Sequence, residues 1–212
     1  MVLIIGNAPI ETLPKGAYDI VFYFSNNSRL VGSMKSNKVF GVIQDFTIDE
    51  HHWKCDEWGA IRKRKYTEFL RFYRPNYEVI LMNSGLNLDL KSLRSFKIDN
   101  YINHTNVLNL LLTHLGLVTI LKVVKLKGLL QYILLVTGVR KKIPGKYRPS
   151  SGFVILLNAI TKYPNHEIHM IGFSEPGSLY LVTEKRVLDR SPHYKLDSLI
   201  YNKFKNKIKF IV

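Results

Sequence analysis

The chain has 212 residues, and 46% of them are hydrophobic, which is enough to pack one full domain. Its 31 Lys and Arg residues outnumber 16 Asp and Glu, and the net charge of +15 predicts an anionic partner: nucleic acid, an acidic membrane surface or a phosphorylated substrate. The single Cys55 excludes an intramolecular disulfide, and the apolar run at the N-terminus is too short for a signal peptide. These features predict a cytoplasmic location.

Short apolar runs in the first half of the chain have the composition of buried strands, and they cover residues 2–5, 18–24, 38–46 and 78–82. Small and amide side chains follow the first two runs. In open α/β sheets, ligands bind beyond the carboxyl ends of the strands. This placement predicts a ligand site at Gly6, Asn7 and Ala8; an ordinary strand-to-helix turn remains an open alternative.

The loop after the second strand carries Ser25, Asn26 and Asn27. Because this loop also follows a strand end, it is predicted to face the same crevice, and an Asn-rich turn without a ligand is the other interpretation.

Metal binding has little support in the sequence. His51, His52 and Cys55 have no partner pair with zinc-site spacing, so we expect a loop there. No Asp-x-Asp pair follows a strand to hold a diphosphate-bound cation. We therefore expect no metal. The basic run 62–65, a separate feature, is interpreted as a solvated helix face.

Residues 107–137 form the most apolar stretch, interrupted by Lys122, Lys125 and Lys127. Three lysines near its middle argue against a membrane-spanning helix. Two interpretations stay open: a helix pair lying in an anionic membrane interface, and a buried helical hairpin that turns near residues 122–128. Residues 84–145 as a whole are predicted to be a helical insertion or lid.

Residues 148–174 combine a small-residue turn, a helix and a strand. Ser150 and Ser151 stand where N-cap residues belong, Pro164 ends the helical pattern, and residues 167–173 read as a buried strand. The hydroxyls, Gly152 and the backbone N–H groups at this helix start could hold an anion. A helix over 196–204 and a last strand over 207–211 follow.

The predicted fold is therefore α/β: a single Rossmann-like domain over residues 1–212, with a mainly parallel sheet and helices on both faces. His193 precedes the helix at 196–204 and lies outside any apolar run. Histidine titrates in the range required for a general base, whereas a lone loop histidine is usually a surface residue. Both interpretations of His193 stay open on the residues alone.

Four segments together resemble the motifs of sialyltransferases, and they are most similar to the compact bacterial type. They are Arg148 to Gly152 with the following helix and Gly-Phe strand end, Gly6-Asn7-Ala8-Pro9, Gly177-Ser178-Leu179-Tyr180, and Ser191-Pro192-His193-Tyr194. The resemblance covers roughly the first thirty and the last sixty-five residues. The second tyrosine of the bacterial enzymes has no counterpart at Ser174, Glu175 or Pro176. The glutamate of the animal enzymes falls at Ser198, with Asp197 one position short.

The resemblance implies an inverting, metal-independent glycosyltransferase with no cofactor beyond its CMP-sugar donor. It implies transfer of sialic acid, or a related keto-sugar acid such as Kdo, to a terminal sugar of a surface glycan such as lipooligosaccharide. His193 is implied as the catalytic base. The implied donor-binding residues are Gly6, Asn7, Ala8, Asn26, Arg148, Ser150, Ser151, Gly152 and Tyr180.

A function of another class stays open: a non-catalytic basic protein that binds nucleic acid or an anionic membrane surface. Its support is the +15 charge. The basic residues are spread along the chain and match no nucleic-acid module, so we expect no specific nucleic-acid partner. Peripheral attachment to the inner face of the membrane and an oligomeric state both remain open.

Overall fold

The computed structural model describes residues 1–8, 10–32, 34–44, 57–82, 96–139, 143–173, 180–181, 186–187 and 193–211. Within these ranges, seven parallel strands form one sheet in the order β5-β4-β3-β2-β1-β6-β9. The strands are β1 Val2–Ile5, β2 Ile20–Phe24, β3 Lys38–Gln44, β4 Glu78–Met82, β5 Ile98–Ile102, β6 Ile168–Ile171 and β9 Ile208–Ile211. A separate antiparallel pair joins β7 Tyr180–Leu181 to β8 Arg186–Val187.

The described helices are α1 Ser28–Val31, α2 Glu57–Phe72, α3 His104–Leu115, α4 Leu117–Val136, α5 Ser151–Lys162 and α6 Tyr194–Phe204. They cover both faces of the sheet. Val2 and Ile4 pack with residues of α3 to α6, whereas Leu3 and Ile5 pack with residues of α1 and α2. Alternate side chains of a strand point to opposite faces, so a strand between two helical layers is apolar throughout. The predicted α/β fold is confirmed.

The helical structure of residues 107–137 is interrupted at two positions. Gly116, with φ of 76°, separates α3 from α4, and Lys125, with φ of 59°, kinks α4 within the range where we predicted a hairpin turn. The break at Lys125 lies within the predicted range 122–128, and the break at Gly116 is an additional one. None of the helices in the described ranges is both long enough and apolar enough to cross a membrane.

The structure corrects the predicted insertion in one respect. Ile98–Ile102, within the range 84–145, is a strand that pairs with β4 at the edge of the sheet. Its sequence, IDNYI, has three polar or amphipathic residues in the middle. They are compatible with an edge strand, because only one neighbouring strand pairs with it and most of its side chains are exposed. The helices that follow it pack onto the sheet, and Leu111, Ile120 and Tyr132 belong to the main core.

The chain reverses its direction of strand addition between β1 and β6. From β1 it builds outward to β5, and it then returns to place β6 on the other side of β1. In open α/β sheets this switch point opens a crevice at the carboxyl ends of the strands, where ligands bind. Here the crevice lies beside Gly6 after β1 and Gly172 after β6.

Candidate functional site

The loop Gly6 to Ala8 is attached to the end of β6 by backbone hydrogen bonds. Gly6 N–H donates to the Ile171 carbonyl at 2.7 Å, and Ala8 N–H donates to the Gly172 carbonyl at 3.0 Å. Gly6 is buried and Asn7 is exposed. A Cβ placed on Gly6 would lie 2.2 Å from the Gly172 carbonyl oxygen, so only glycine fits there without backbone movement. The loop thus exposes Asn7 from a tightly fixed base.

Asn27 holds this loop from the second strand. Its amide nitrogen donates to the Gly6 carbonyl at 2.6 Å and to the Ala8 carbonyl at 2.9 Å, and the side chain is buried. Asn27, one of the three candidates after β2, therefore contacts the predicted site loop. The side chain of Asn26, which the sialyltransferase resemblance implies as a donor-binding residue, lies outside the described part of the chain.

The start of α5 meets the same loop across one aromatic ring. A Cβ on Gly152 would lie 2.2 Å from the Phe173 ring, and a Cβ on Gly6 would lie 2.9 Å from it. Phe24 packs edge-on against this ring, with the centroids 6.2 Å apart. The predicted residues Gly6 and Gly152 are thus brought together, separated by more than 140 residues of sequence but by one side chain in space.

The N-terminus of α5 is positioned by two polar contacts from distant elements. Of the two serines predicted at N-cap positions, Ser150 is the N-cap, and its N–H donates to Asp197 Oδ1 at 2.8 Å. Ser151 Oγ accepts a hydrogen bond from Gln44 Nε2 at 2.5 Å, which connects the helix to the end of β3. Parallel strands and the helix start therefore share one edge of the domain.

Asp197 is a buried carboxyl group in this cluster, with 6% of its surface exposed. Burial raises the pKa of Asp197 to about 7, and the hydrogen bonds from Ser150 only partly oppose that shift. Burial therefore outweighs the favourable positive end of α5. This carboxyl group changes its charge near neutral pH instead of remaining ionised.

His193 is the N-cap of α6 and stands one helical turn before Asp197. Its Nδ1 lies 2.9 Å from the Arg148 carbonyl oxygen. A carbonyl oxygen can only accept, so Nδ1 carries the proton in the neutral ring and Nε2 carries the lone pair. The sequence-predicted residues His193 and Arg148 are in direct contact, and this tautomer is the one required for proton abstraction through Nε2.

A small pocket lies beside Arg148 and Ser151, with a cavity volume of about 20 Å³. Its lining also includes Met82, Ile102 and His104, which come from the carboxyl ends of β4 and β5 and from the start of α3. That volume accommodates one water molecule and no sugar nucleotide.

Several predicted residues cannot be compared with the structure. The side chain of Tyr180 lies outside the described residues, as do residues 177–179, Ser191 and Pro192. His51, His52 and Cys55 also lie outside them. Within the described ranges, no three His, Cys, Asp or Glu side chains are grouped as metal ligands would be.

Three residues of this cluster were not predicted as site residues. Gln44 is the last residue of β3, and its position at a strand end was the available signal. Asp197 is four residues after His193. Residues at that spacing lie on the same face of a helix, and this was the available signal for Asp197. His104 begins α3, and nothing in the sequence connects it to Ser151.

The comparisons with known proteins identify no relative. No family model matches the chain, and neither a curated protein nor a solved structure matches it.

Proposed function

We propose that the chain is an inverting glycosyltransferase that uses a CMP-activated sialic acid, or a related keto-sugar acid such as CMP-Kdo, and needs no metal. The acceptor in this proposal is a terminal sugar of a surface glycan such as lipooligosaccharide. One observation carries the proposal: His193 Nδ1 is held by the Arg148 carbonyl, which leaves the lone pair on Nε2. The motif resemblance supplies the substrate class.

The proposed reaction assigns the proton to His193. The acceptor hydroxyl oxygen attacks the anomeric carbon, the bond from that carbon to the CMP oxygen breaks, and CMP leaves with the electron pair. The hydroxyl proton passes to His193 Nε2, so the anomeric configuration inverts in one displacement. Backbone hydrogen bonding through Nδ1 orients the imidazole for this step.

The donor is assigned to the open side of the crevice. Asn7 projects from the Gly6–Ala8 loop on one side, and the N-terminus of α5, with Ser150, Ser151 and Gly152, forms the other. A helix N-terminus favours a phosphate because its N–H groups and dipole carry partial positive charge. Arg148 and Tyr180 are proposed to complete the neutralisation of the leaving CMP.

The test has two parts. The first measures the melting temperature with CMP, and with AMP and heparin as comparisons, at low and high salt. A specific site stabilises the fold by about 2.7 kcal/mol when CMP is at 100 times its Kd. A shift that is unique to CMP and absent with AMP and heparin supports the transferase. Equal, salt-sensitive shifts with heparin support the rival basic binding protein.

The second part supplies CMP-sialic acid or CMP-Kdo and measures CMP release with and without a galactose-terminated acceptor. The proposal expects acceptor-dependent release that EDTA does not reduce. No release from either donor, under conditions where CMP binds, would refute the catalytic proposal while keeping a nucleotide site.

A further inference from the structure

Helix α4 exposes apolar side chains where a helix on a protein surface normally places polar ones. Leu126, Leu130 and Ile133 are 47–76% exposed, and Val118 before the kink is 68% exposed. The three residues after the kink follow at spacings of four and three, so they form one row along the helix. Contiguous exposed apolar surface of this kind marks an interaction site.

The opposite face of α4 is already occupied. Ile120, Val124 and Tyr132 are buried in the main core, and a Cβ on Gly128 would lie 2.8 Å from the Tyr147 ring. The exposed row therefore lies on the side of the helix that faces away from the main core. Tyr147 directly precedes Arg148, so the inner face of α4 packs beside the candidate site.

The charged residues on α4 all have the same sign. Lys122, Lys125 and Lys127 are exposed on the same helix. The sequence has no acidic residue between Asp99 and Glu167. A partner at this face must accept apolar side chains and also present negative charge.

We propose that the outer face of α4, defined as Val118, Leu126, Leu130 and Ile133 with Lys122, Lys125 and Lys127, binds the surface of an anionic lipid bilayer. Lipid tails take up the apolar row, and acidic headgroups attract the lysines. A second copy of this chain fits less well, because both copies carry +15 and would repel. Nucleic acid would match the lysines but leave the apolar row in water. This inference does not depend on the transferase reaction.

Vesicle sedimentation with the full chain tests the proposal. Neutral phosphatidylcholine vesicles are compared with vesicles that contain about a quarter phosphatidylglycerol, at a fixed salt concentration. The wild type should partition onto the anionic vesicles. The variant Lys122→Gln/Lys125→Gln/Lys127→Gln should bind on the order of 10² times more weakly, since each basic residue at an anionic surface contributes about a factor of five.

A second variant tests the apolar row separately. Leu126→Asn/Leu130→Asn/Ile133→Asn should lower partitioning by about tenfold or more, because it removes the side chains that enter the headgroup boundary. Matched controls are Leu70→Asn, an exposed leucine on α2, and Lys15→Gln/Lys35→Gln/Lys63→Gln, which removes the same charge elsewhere. The Leu70 control should leave partitioning unchanged, and the lysine control should reduce it much less than the α4 lysine variant does.

Three outcomes would overturn the proposal. The wild type could fail to sediment with anionic vesicles. The α4 variants could lose no more binding than their controls. The asparagine variant could convert a wild-type dimer into a monomer in light scattering without changing vesicle binding, which would assign the row to a second copy of the chain.

Discussion

Two regions of this molecule depart from the usual distribution of polar and apolar groups, in opposite directions. At the crevice, the polar side chains Asn27 and Asp197 are buried. On the outer face of α4, Leu126 and Ile133 are exposed. Apolar residues normally fill the interior of a protein. A buried carboxyl group and a row of exposed apolar side chains therefore each cost stability.

The two departures differ in how they are compensated. Each polar group named at the crevice has a partner inside the chain: Asn27 bonds the Gly6 and Ala8 carbonyls, and Asp197 accepts from Ser150. Hydrogen bonds within the domain therefore compensate for the burial of each of these two polar side chains. The apolar row on α4 is exposed and has no such compensation among the described residues.

The largest effect is expected at His193. His193→Ala should reduce transfer by roughly 10²–10⁴, because a positioned base contributes about that much. CMP binding should change little, since the base acts on the acceptor hydroxyl. Transfer rate and CMP titration are measured on the same variant.

His193→Asn separates catalysis from structure. Its amide can still donate to the Arg148 carbonyl, but it cannot take a proton, so it should be as inactive as the alanine variant while melting like the wild type. His166→Ala, at the turn before β6, is the matched control. Near-normal transfer by His193→Asn would rule out the base role.

Asp197 should make stability depend on pH. Its pKa of about 7 lies above the ordinary value near 3.8, so the folded state binds more protons between those values. The contribution of Asp197 to the free energy of unfolding is therefore fully present below about pH 4 and is lost as the pH rises to 7. Asp197→Asn should be more stable than the wild type at pH 8, by on the order of a few kcal/mol, and equal to it near pH 4.

Urea unfolding at pH 4, 6 and 8 measures this difference. Asparagine keeps an oxygen that can accept from the Ser150 N–H, so the contact at the start of α5 is retained. A stability difference that stays constant across the three pH values would contradict the raised pKa of Asp197.

The third-largest effect is a loss of stability expected at Gly6, because this residue fits closely against the backbone of Gly172. Gly6→Ala places a methyl group 2.2 Å from the Gly172 carbonyl oxygen, and overpacking against backbone costs about 1–3 kcal/mol. Gly32→Ala is the control, since its nearest neighbour lies at 3.8 Å. Thermal melts of both variants should show a loss only for Gly6→Ala; equal melting temperatures would mean that the loop adjusts freely.

The smallest effect is expected on the outer face of α4. Leu126→Ala should change the free energy of unfolding by less than about 0.5 kcal/mol, whereas Ile120→Ala on the inner face should cost about 2–5 kcal/mol. Chemical denaturation without lipid measures both. A large loss for Leu126→Ala would mean that the row is covered by protein, and the two faces of α4 would no longer differ.

Most of the sheet could be predicted because its central strands are buried on both faces. Val2–Ile5 and Glu78–Met82 are recognisable from local composition alone, and Ser150 is recognisable as an N-cap. The edge strand Ile98–Ile102 carried no comparable pattern, since most of its side chains are in water. The kink at Lys125 was located only within a range, because a non-glycine residue with positive φ has no local signature.

The sequence by itself determined the fold class, the helix start at Ser150 and the excess of positive charge, because each depends on residues close together in the chain or on composition. The tertiary structure decided that Asn27 holds the Gly6 loop, that Phe173 joins Gly6 to Gly152, and that Gln44 reaches Ser151 across 107 positions. It also decided which side of α4 faces water, since the lysines and apolar residues of this helix follow no periodic pattern that could orient it. Contacts between distant residues depend on strand order and register, which local patterns do not encode.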